Sequence, residues 1–522
     1  MAEGIKSRVG TRSRDHVLSF VSAFVLIGLF CMSTVFALSP TFYSETEKFR
    51  AAVYETDRTI FTTYFVWYNA TGNLDSAHQV IYDCNYQTVA DIMNNLQNPP
   101  ADWPGPTNAT IDQLISFNAT GNGHNYTEAI SHHPPATPPT YNATGDVTSV
   151  LDRSLKKYTT DNNSIIVNLT SWFSYLNPVW HEWEMRCMMR AGIDVAMPNY
   201  WWTGPGLPGY GYFTRDGLVV LNDTITALQT TVAAEHAAGS SYTPDDVPRI
   251  AMFYDTTMMK QLWAFKEHLD PESIYFDNET EAMNNGPGPD LEDPYWENQF
   301  YLRIQEFYDF IINGSACHTV FIQNNGTLEE YCVVWLYSGG FFGGIGSHVL
   351  NYCKAHFEER YGKKLLFVGG GEWNQADVDG ECGWGACCDV RLDKGTRIPV
   401  GGYGPGYYNI GTLLGQQARY IAHDTTRYKN GLQSAIDSGA AWLHLETWNE
   451  LLEGTDICWT QEFGYDFIDA TREIADRFHA MHGQPPITSR VNLVLVILPL
   501  ASLVTLMGVA VILQRKRPVE KV

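Results

Sequence analysis

Short apolar runs alternate with amphipathic stretches along most of this chain, and that alternation restricts the fold more than any single motif. Residues 62–68, 193–202, 249–255, 333–338, 365–369, 398–403 and 442–445 are rich in β-branched and aromatic residues. Runs of this length and composition read as strands. Between them, residues 182–191, 295–312, 348–361 and 415–438 carry helical patterning, and residues 467–482 form an expected last helix. A further strand is expected around Trp384, where cysteines and charges interrupt it. Strands alternating with helices favour a parallel α/β sheet, and eight repeats favour a (β/α)8 TIM barrel with its site at the strands' C-terminal ends. The 522 residues and 44% hydrophobic content suit one barrel carrying insertions. No glycine-rich phosphate motif follows a strand, so nucleotide-binding folds lose ground.

The ends differ from this body. Residues 17–37 are almost wholly apolar and follow Lys6, Arg8, Arg12 and Arg14, so residues 1–37 read as a signal peptide or an uncleaved signal anchor. Residues 490–513 read as a transmembrane helix, with Arg515, Lys516 and Arg517 opening a cytoplasmic tail at 514–522. Residues 38–489 would then be extracytoplasmic, and the chain a cell-membrane protein that crosses once, or twice if the first segment is retained. Sequons begin at Asn69, Asn108, Asn118, Asn125, Asn142, Asn162, Asn168, Asn222, Asn278, Asn313 and Asn325, a density that fits such a location. Many fall in residues 69–165, a polar stretch with proline runs that reads as a long glycosylated loop insertion. Cys31 lies in the leading segment; among the other cysteines, Cys317 and Cys332 are the expected local disulfide. Cys382, Cys387 and Cys388 lack paired zinc-ligand spacing. The formal charge of −24, with both ends basic, disfavours nucleic acid and anionic polymers as partners.

The last strand runs into a polar cluster in which Glu450 and Glu453 stand three residues apart. On a helix such a pair shares one face, with Cβ atoms about 5–6 Å apart. Retaining glycosidases place two carboxyl groups about 5–5.5 Å apart. The same residues would also serve as a solvated helix start, with Asn449 as the cap. Trp67, Tyr68, Tyr200, Trp201, Asp255, Glu372, Trp448 and Asn449 stand at strand ends, where a barrel meets its substrate; the aromatic ones would equally suit a core.

The run Asn449-Glu450-Leu451-Leu452-Glu453-Gly454-Thr455 resembles the Asn-Glu-Trp-x-Glu-Gly signature of the endo-α-mannosidase-like glycosidases, glycoside hydrolase family 99, and their looser relatives of unknown function. Gly404-Pro405-Gly406-Tyr407, followed by Arg427 and Gly431, is similar to a second stretch of that family. The likeness extends from about Phe61 to Phe478. It implies a retaining glycoside hydrolase acting on α-linked, mannose-containing glycans. Glu453 would be the general acid and then base, Glu450 the carboxylate that acts on the substrate's own 2-hydroxyl, and Tyr407 a contact to the reacting sugar. No metal or organic cofactor is implied, and the partner is an oligo- or polysaccharide. Leu451-Leu452, Ser338 and Asp255 depart from the family at sugar-recognition positions, which leaves sugar and linkage open. The competing function is a non-catalytic glycan-binding or structural surface glycoprotein on the same barrel.

Overall fold

The computed structural model describes residues 57–68, 132, 134–135, 137–151, 159–161, 164–166, 172–205, 211–324, 327–387, 389–392, 396–408, 420–451 and 453–481. Strands β1 (Thr59–Tyr64), β2 (Val195–Tyr200), β3 (Met252–Tyr254), β4 (Thr327–Leu336), β5 (Lys364–Gly369), β6 (Gly380–Glu381), β7 (Val400–Tyr403) and β8 (Trp442–Leu445) form one sheet. They lie in chain order from β1 to β6, while β8 and then β7 flank β1 on its other side. Every pairing along this path is parallel. The short strand Arg391–Leu392 adds a ninth, antiparallel to β7. The sheet is nearly closed: Gly380 and Ile398 form a lone parallel bridge between its ends. The result is a mixed α/β, barrel-like sheet.

Period-two alternation builds two cores from the same strands. Phe61, Val195, Met197, Phe253, Val333, Trp335, Leu366, Val368, Val400 and Trp442 cluster inside the sheet. Their neighbours Ile60, Ala196, Tyr254, Val334, Phe367 and Leu443 face outwards and join a larger cluster with the helices. The helices are α1 (Pro178–Ala191), α2 (Tyr212–Ala237), α3 (Thr257–Leu269), α4 (Glu279–Asn285), α5 (Pro294–Ile311), α6 (Val349–Tyr361), α7 (Thr425–Asp437) and α8 (Asp466–His479). Local sequence sets their ends. Asn177 caps α1 through the Val179 N–H, Pro178 opens it, and Gly192 closes it at φ 73°.

Several expectations change. The first strand is 59–64, not 62–68, because the Phe65 backbone leaves the sheet to pair with the Asn449 side chain. The strand expected near Trp384 is the two-residue β6, just upstream. Helix α7 starts at Thr425 behind the cap Asp424, and residues 409–419 lie outside the described residues. Cys317 and Cys332 are neighbouring free thiols in hydrogen-bond contact rather than a disulfide. Among the described residues no helix is long and apolar enough to cross a membrane; the segments expected at 1–37 and 490–522 lie outside them, as does most of the insertion. Of the sequons, Asn142, Asn278 and Asn313 are exposed, and Asn222 is half-buried within α2.

Candidate active site

Carrying the alternation past each strand end identifies what faces the mouth of the barrel. Parity with Val195 and Met197 turns Asn199 inwards, and parity with Phe253 turns Asp255 inwards. Tyr337 follows Trp335, and Glu446 follows Trp442 and His444 in the same way. Contacts agree with this placement. Asn199 Nδ2 lies 3.4 Å from Asp255 Oδ2. The Trp384 ring sits 5.4 Å from both Phe253 and Tyr337. Glu446 accepts the backbone N–H of Gly385 at 2.9 Å and of Ala386 at 2.8 Å, which ties the loop after β6 to the end of β8. A cavity of about 780 Å³ opens here, lined by Tyr337, Ser338, Glu372, Trp384 and Arg391 among others.

Beyond Glu446 the chain makes a loop closed on itself. Thr447 N donates to Thr455 O at 2.9 Å, Ile457 N to Thr447 O at 3.1 Å, and the two threonine hydroxyls meet at 3.0 Å. Gly454 turns it at φ 58°, in the left-handed region that favours glycine. Among the described residues no helix forms here, so the helical spacing expected for Glu450 and Glu453 does not apply, and Asn449 caps nothing. Instead the Asn449 amide accepts Phe65 N–H at 2.7 Å and donates to Phe65 O at 3.0 Å. Glu450 is buried at 5% exposure and Glu453 is half-buried.

Tyr407 reaches this turn from a second loop, where Tyr407–Tyr408 pairs with Tyr420–Ile421. Its hydroxyl hydrogen-bonds Glu453. Arg427 fixes that loop by donating to Tyr403 Oη at 2.8 Å and Pro405 O at 2.9 Å. Gly431 leaves room for the Tyr403 ring, which a Cβ there would meet at 2.2 Å. Behind Glu453, His423 Nε2 donates to Gly454 O at 2.5 Å, and its ring meets His132, which hydrogen-bonds Asp456 at 2.7 Å.

The electrostatics follow first from burial. Burial pushes the Glu453 carboxyl above its ordinary value, and the Tyr407 hydrogen bond pulls partly back. Glu446 is pushed up to about 7 by burial, against the N–H groups that favour its charged form. Asp255 is raised by burial, opposed by Thr257 and Asn199. The Tyr337 phenol is raised by burial first and then by the charges of Asp255, Glu453, Glu446 and Glu372. Of these four, Glu372 lines the same cavity as Tyr337. Among the described residues no group of His, Cys, Asp and Glu is arranged to hold a metal ion.

The residues singled out from sequence thus divide. Glu372 lines the cavity with Tyr337, Asp255 pairs with Asn199, Tyr407 hydrogen-bonds Glu453, and Glu450 lies on the same turn as Glu453. Trp67 packs its ring 4.5 Å from Phe65. Tyr68 is buried against Phe173 and Trp180, and its hydroxyl accepts Leu451 N–H at 3.0 Å. Tyr200 turns outwards against Phe307 of α5, and Trp201 joins the same outer cluster. Trp448 is buried against α1, donating to Glu184 at 2.5 Å. Sequence reading passed over Tyr337, Asn199, Trp384, His423 and the role of Glu446; strand parity would have marked Asn199, Tyr337 and Glu446.

A family model described as Domain of unknown function (DUF5010) matches residues 139–484. No curated protein matches the chain. Among solved structures, the GH99 endo-alpha-mannosidase from Bacteroides thetaiotaomicron is 13% identical, with 82% of this chain and 99% of that one covered at a TM-score of 0.41. The same enzyme in complex with bis-tris-propane is 14% identical, covering 59% of this chain and 87% of that one at 0.36. A glycoside hydrolase-like protein is 13% identical, covering 58% and 87% at 0.39. The DUF5010 match spans more than half of the sequence, and the chain belongs to that family.

Proposed function

We propose that this protein is a retaining glycoside hydrolase with a (β/α)8 barrel, acting on α-linked glycans, mannose-containing ones among them, through Glu450 and Glu453. The observation that carries the reading is the half-buried Glu453 carboxyl at the barrel mouth, raised by burial and held by Tyr407. A carboxyl group so placed is protonated at higher pH than an exposed one, as a general acid requires. It protonates the glycosidic oxygen as the bond to the leaving group breaks. Glu450 takes the proton of the 2-hydroxyl, whose oxygen closes on the anomeric carbon to give a 1,2-anhydro sugar. Water then opens that ring, giving its proton to the Glu453 carboxylate, while Glu450 returns a proton to the 2-oxygen. Two displacements give net retention. The same proposal includes an extracytoplasmic glycoprotein body held at the cell membrane by residues 490–513.

The test uses the purified full-length protein with α-linked mannans and N-glycans, following release of reducing ends. Glu453→Gln and Glu450→Gln should each lower the rate by about 10²–10⁴-fold with the fold intact by circular dichroism. Glycans bound but never cleaved, with binding unchanged in both variants, would replace this reading with that of a non-catalytic glycan-binding protein.

A further inference from the structure

Residues 140–149 form a turn laid against helices α1 and α2. Asn142 N donates to Asp146 O at 2.9 Å and Thr148 N to Thr140 O at 2.7 Å, and Tyr141 and Val147 pair across it. Two contacts dock the turn. The Tyr141 ring lies 4.4 Å from the Arg186 guanidinium, and Gly145, at φ 81°, leaves no room for a side chain beside Glu235. Between turn and helices lies a cavity of about 620 Å³, lined by Tyr141, Trp183, Tyr242, Trp459 and Tyr465 among others. It shares no lining residue with the cleft at Tyr337. Small-ligand sites run from about 300 to 1,000 Å³. The charges here are already served: Arg186 pairs with Glu182 and Glu235, and Arg190 with Asp469. Asp146 accepts from Asn142 and Thr144, and Asp466 is exposed at the start of α8. Aromatic rings with no unpaired cation suit a neutral, hydroxyl-rich ligand. A second observation points the same way. The Tyr141 hydroxyl oxygen is buried and has no hydrogen-bond partner, a state that native proteins keep rare.

The sequence supplies an occupant. Asn142-Ala143-Thr144 is a sequon, Asn142 is exposed, and Tyr141 and Thr144 on either side of it line the cavity. Asn142 Oδ1 accepts Thr144 N at 2.9 Å, Thr144 Oγ1 at 2.8 Å and Asp146 N at 2.8 Å. Its Nδ2 donates to Asp146 Oδ2 at 3.0 Å, and Asp146 also lines the cavity. Glycosylation replaces one Nδ2 hydrogen and leaves the other for Asp146.

We propose that Asn142 carries an N-linked glycan whose first N-acetylglucosamine units seat in this cavity. The inference rests on the extracytoplasmic glycoprotein part of the proposed function. In the transfer, Nδ2 bonds to C1 of a lipid-pyrophosphate-linked oligosaccharide and loses one proton, and the pyrophosphate leaves with the electrons of its C1–O bond. The seated sugar gives the Tyr141 hydroxyl its partner. A sugar tethered beside the cavity has an effective concentration on the order of mM, so modest contacts hold it there.

For the test, the full-length protein is made in eukaryotic secretory cells. Glycopeptide mass spectrometry reads occupancy at Asn142, Asn278 and Asn313, all three exposed. The native protein is then treated with peptide-N-glycosidase. Release at Asn142 should be at least about tenfold slower than at Asn278 and Asn313, because it waits on local opening. Denaturation should abolish the difference. Tyr141→Phe keeps the sequon and the ring against Arg186 and lacks only the hydroxyl. It should speed native release at Asn142 by about two- to tenfold, the worth of one hydrogen bond. Equal native release at the three sites, or no effect of Tyr141→Phe, would overturn the proposal. So would an unmodified Asn142 in protein that is modified at Asn278 or Asn313. Protein modified at none of the three overturns it together with the extracytoplasmic reading.

Discussion

Glu446 shows what one buried carboxyl does to the pH dependence of the whole fold. Its folded value of about 7 lies above its ordinary 4.5 because burial penalises the charge. A raised folded value means that the native state prefers the protonated form. The stability from Glu446 is therefore complete below about pH 4.5 and is lost as pH rises to about 7. The span is on the order of 3 kcal/mol. Glu184, also raised to about 7 by burial between Trp180 and Trp448, acts with the same sign. Urea midpoints should fall across that interval, and Glu446→Gln should flatten part of the slope; an unchanged slope would show that Glu446 carries no such linkage. At this scale the sequence was partly legible. Glu450, Glu453 and Tyr407 stood out because a motif marks them. Tyr200 was chosen for its place at a strand end, whereas its neighbour Asn199 is the one that faces inwards. Position along a strand says where a side chain is, but only parity says which face it takes.

At the scale of elements, the turn from Glu446 to Ile457 shows how one side chain replaces a stretch of sheet. Trp448 N donates to Thr63 O, and the Asn449 amide then pairs with both backbone polar groups of Phe65. Asn449→Ala orphans a buried N–H and a buried carbonyl. It should cost about 2–6 kcal/mol, counting about 1–3 kcal/mol for each group, read as a lowered urea midpoint. Asn449→Asp keeps the acceptor and loses the donor, so it should fall between the native protein and the alanine variant. The ranking matters: equal losses in the two variants would mean that the paired bonds are not what holds this turn. The helices were more legible than the turn. The structure has Pro294–Ile311 and Val349–Tyr361 where periodicity expected 295–312 and 348–361. Helices announce themselves through local repeats, caps and closing glycines. The turn depends on Phe65, hundreds of residues away in sequence, and no local pattern announces it.

For the molecule as a whole, the telling place is the seam where the sheet meets itself. Neighbouring strands β1 and β8 share four residues of register, as do β8 and β7. Between β6 and the approach to β7 there is one bridge, Gly380 to Ile398, and β6 is two residues long. Side chains supply what the backbone lacks there. Asp379, 2% exposed, accepts the Phe367 N–H at 2.9 Å, meets Lys354 Nζ at 2.9 Å and Arg397 at 3.0 Å. Its own carbonyl takes the Ile398 N–H. One buried carboxylate thus joins β5, α6, β6 and the segment leading into β7. This explains why the sixth strand was the least legible from sequence: an ionic cluster with a two-residue strand leaves no apolar run to read. Asp379→Ala should strand two cations at the seam. Because Lys354 and Arg397 still reach solvent, the loss should be about 2–4 kcal/mol, less than for a fully buried pair. Hydrogen exchange should then rise first at Gly380 to Cys382 and Ile398, while the amides of β1 and β8 stay protected. Uniform loss of protection across all strands would show instead that the seam is no weaker than the rest, and that Asp379 supports the barrel only as one core residue among many.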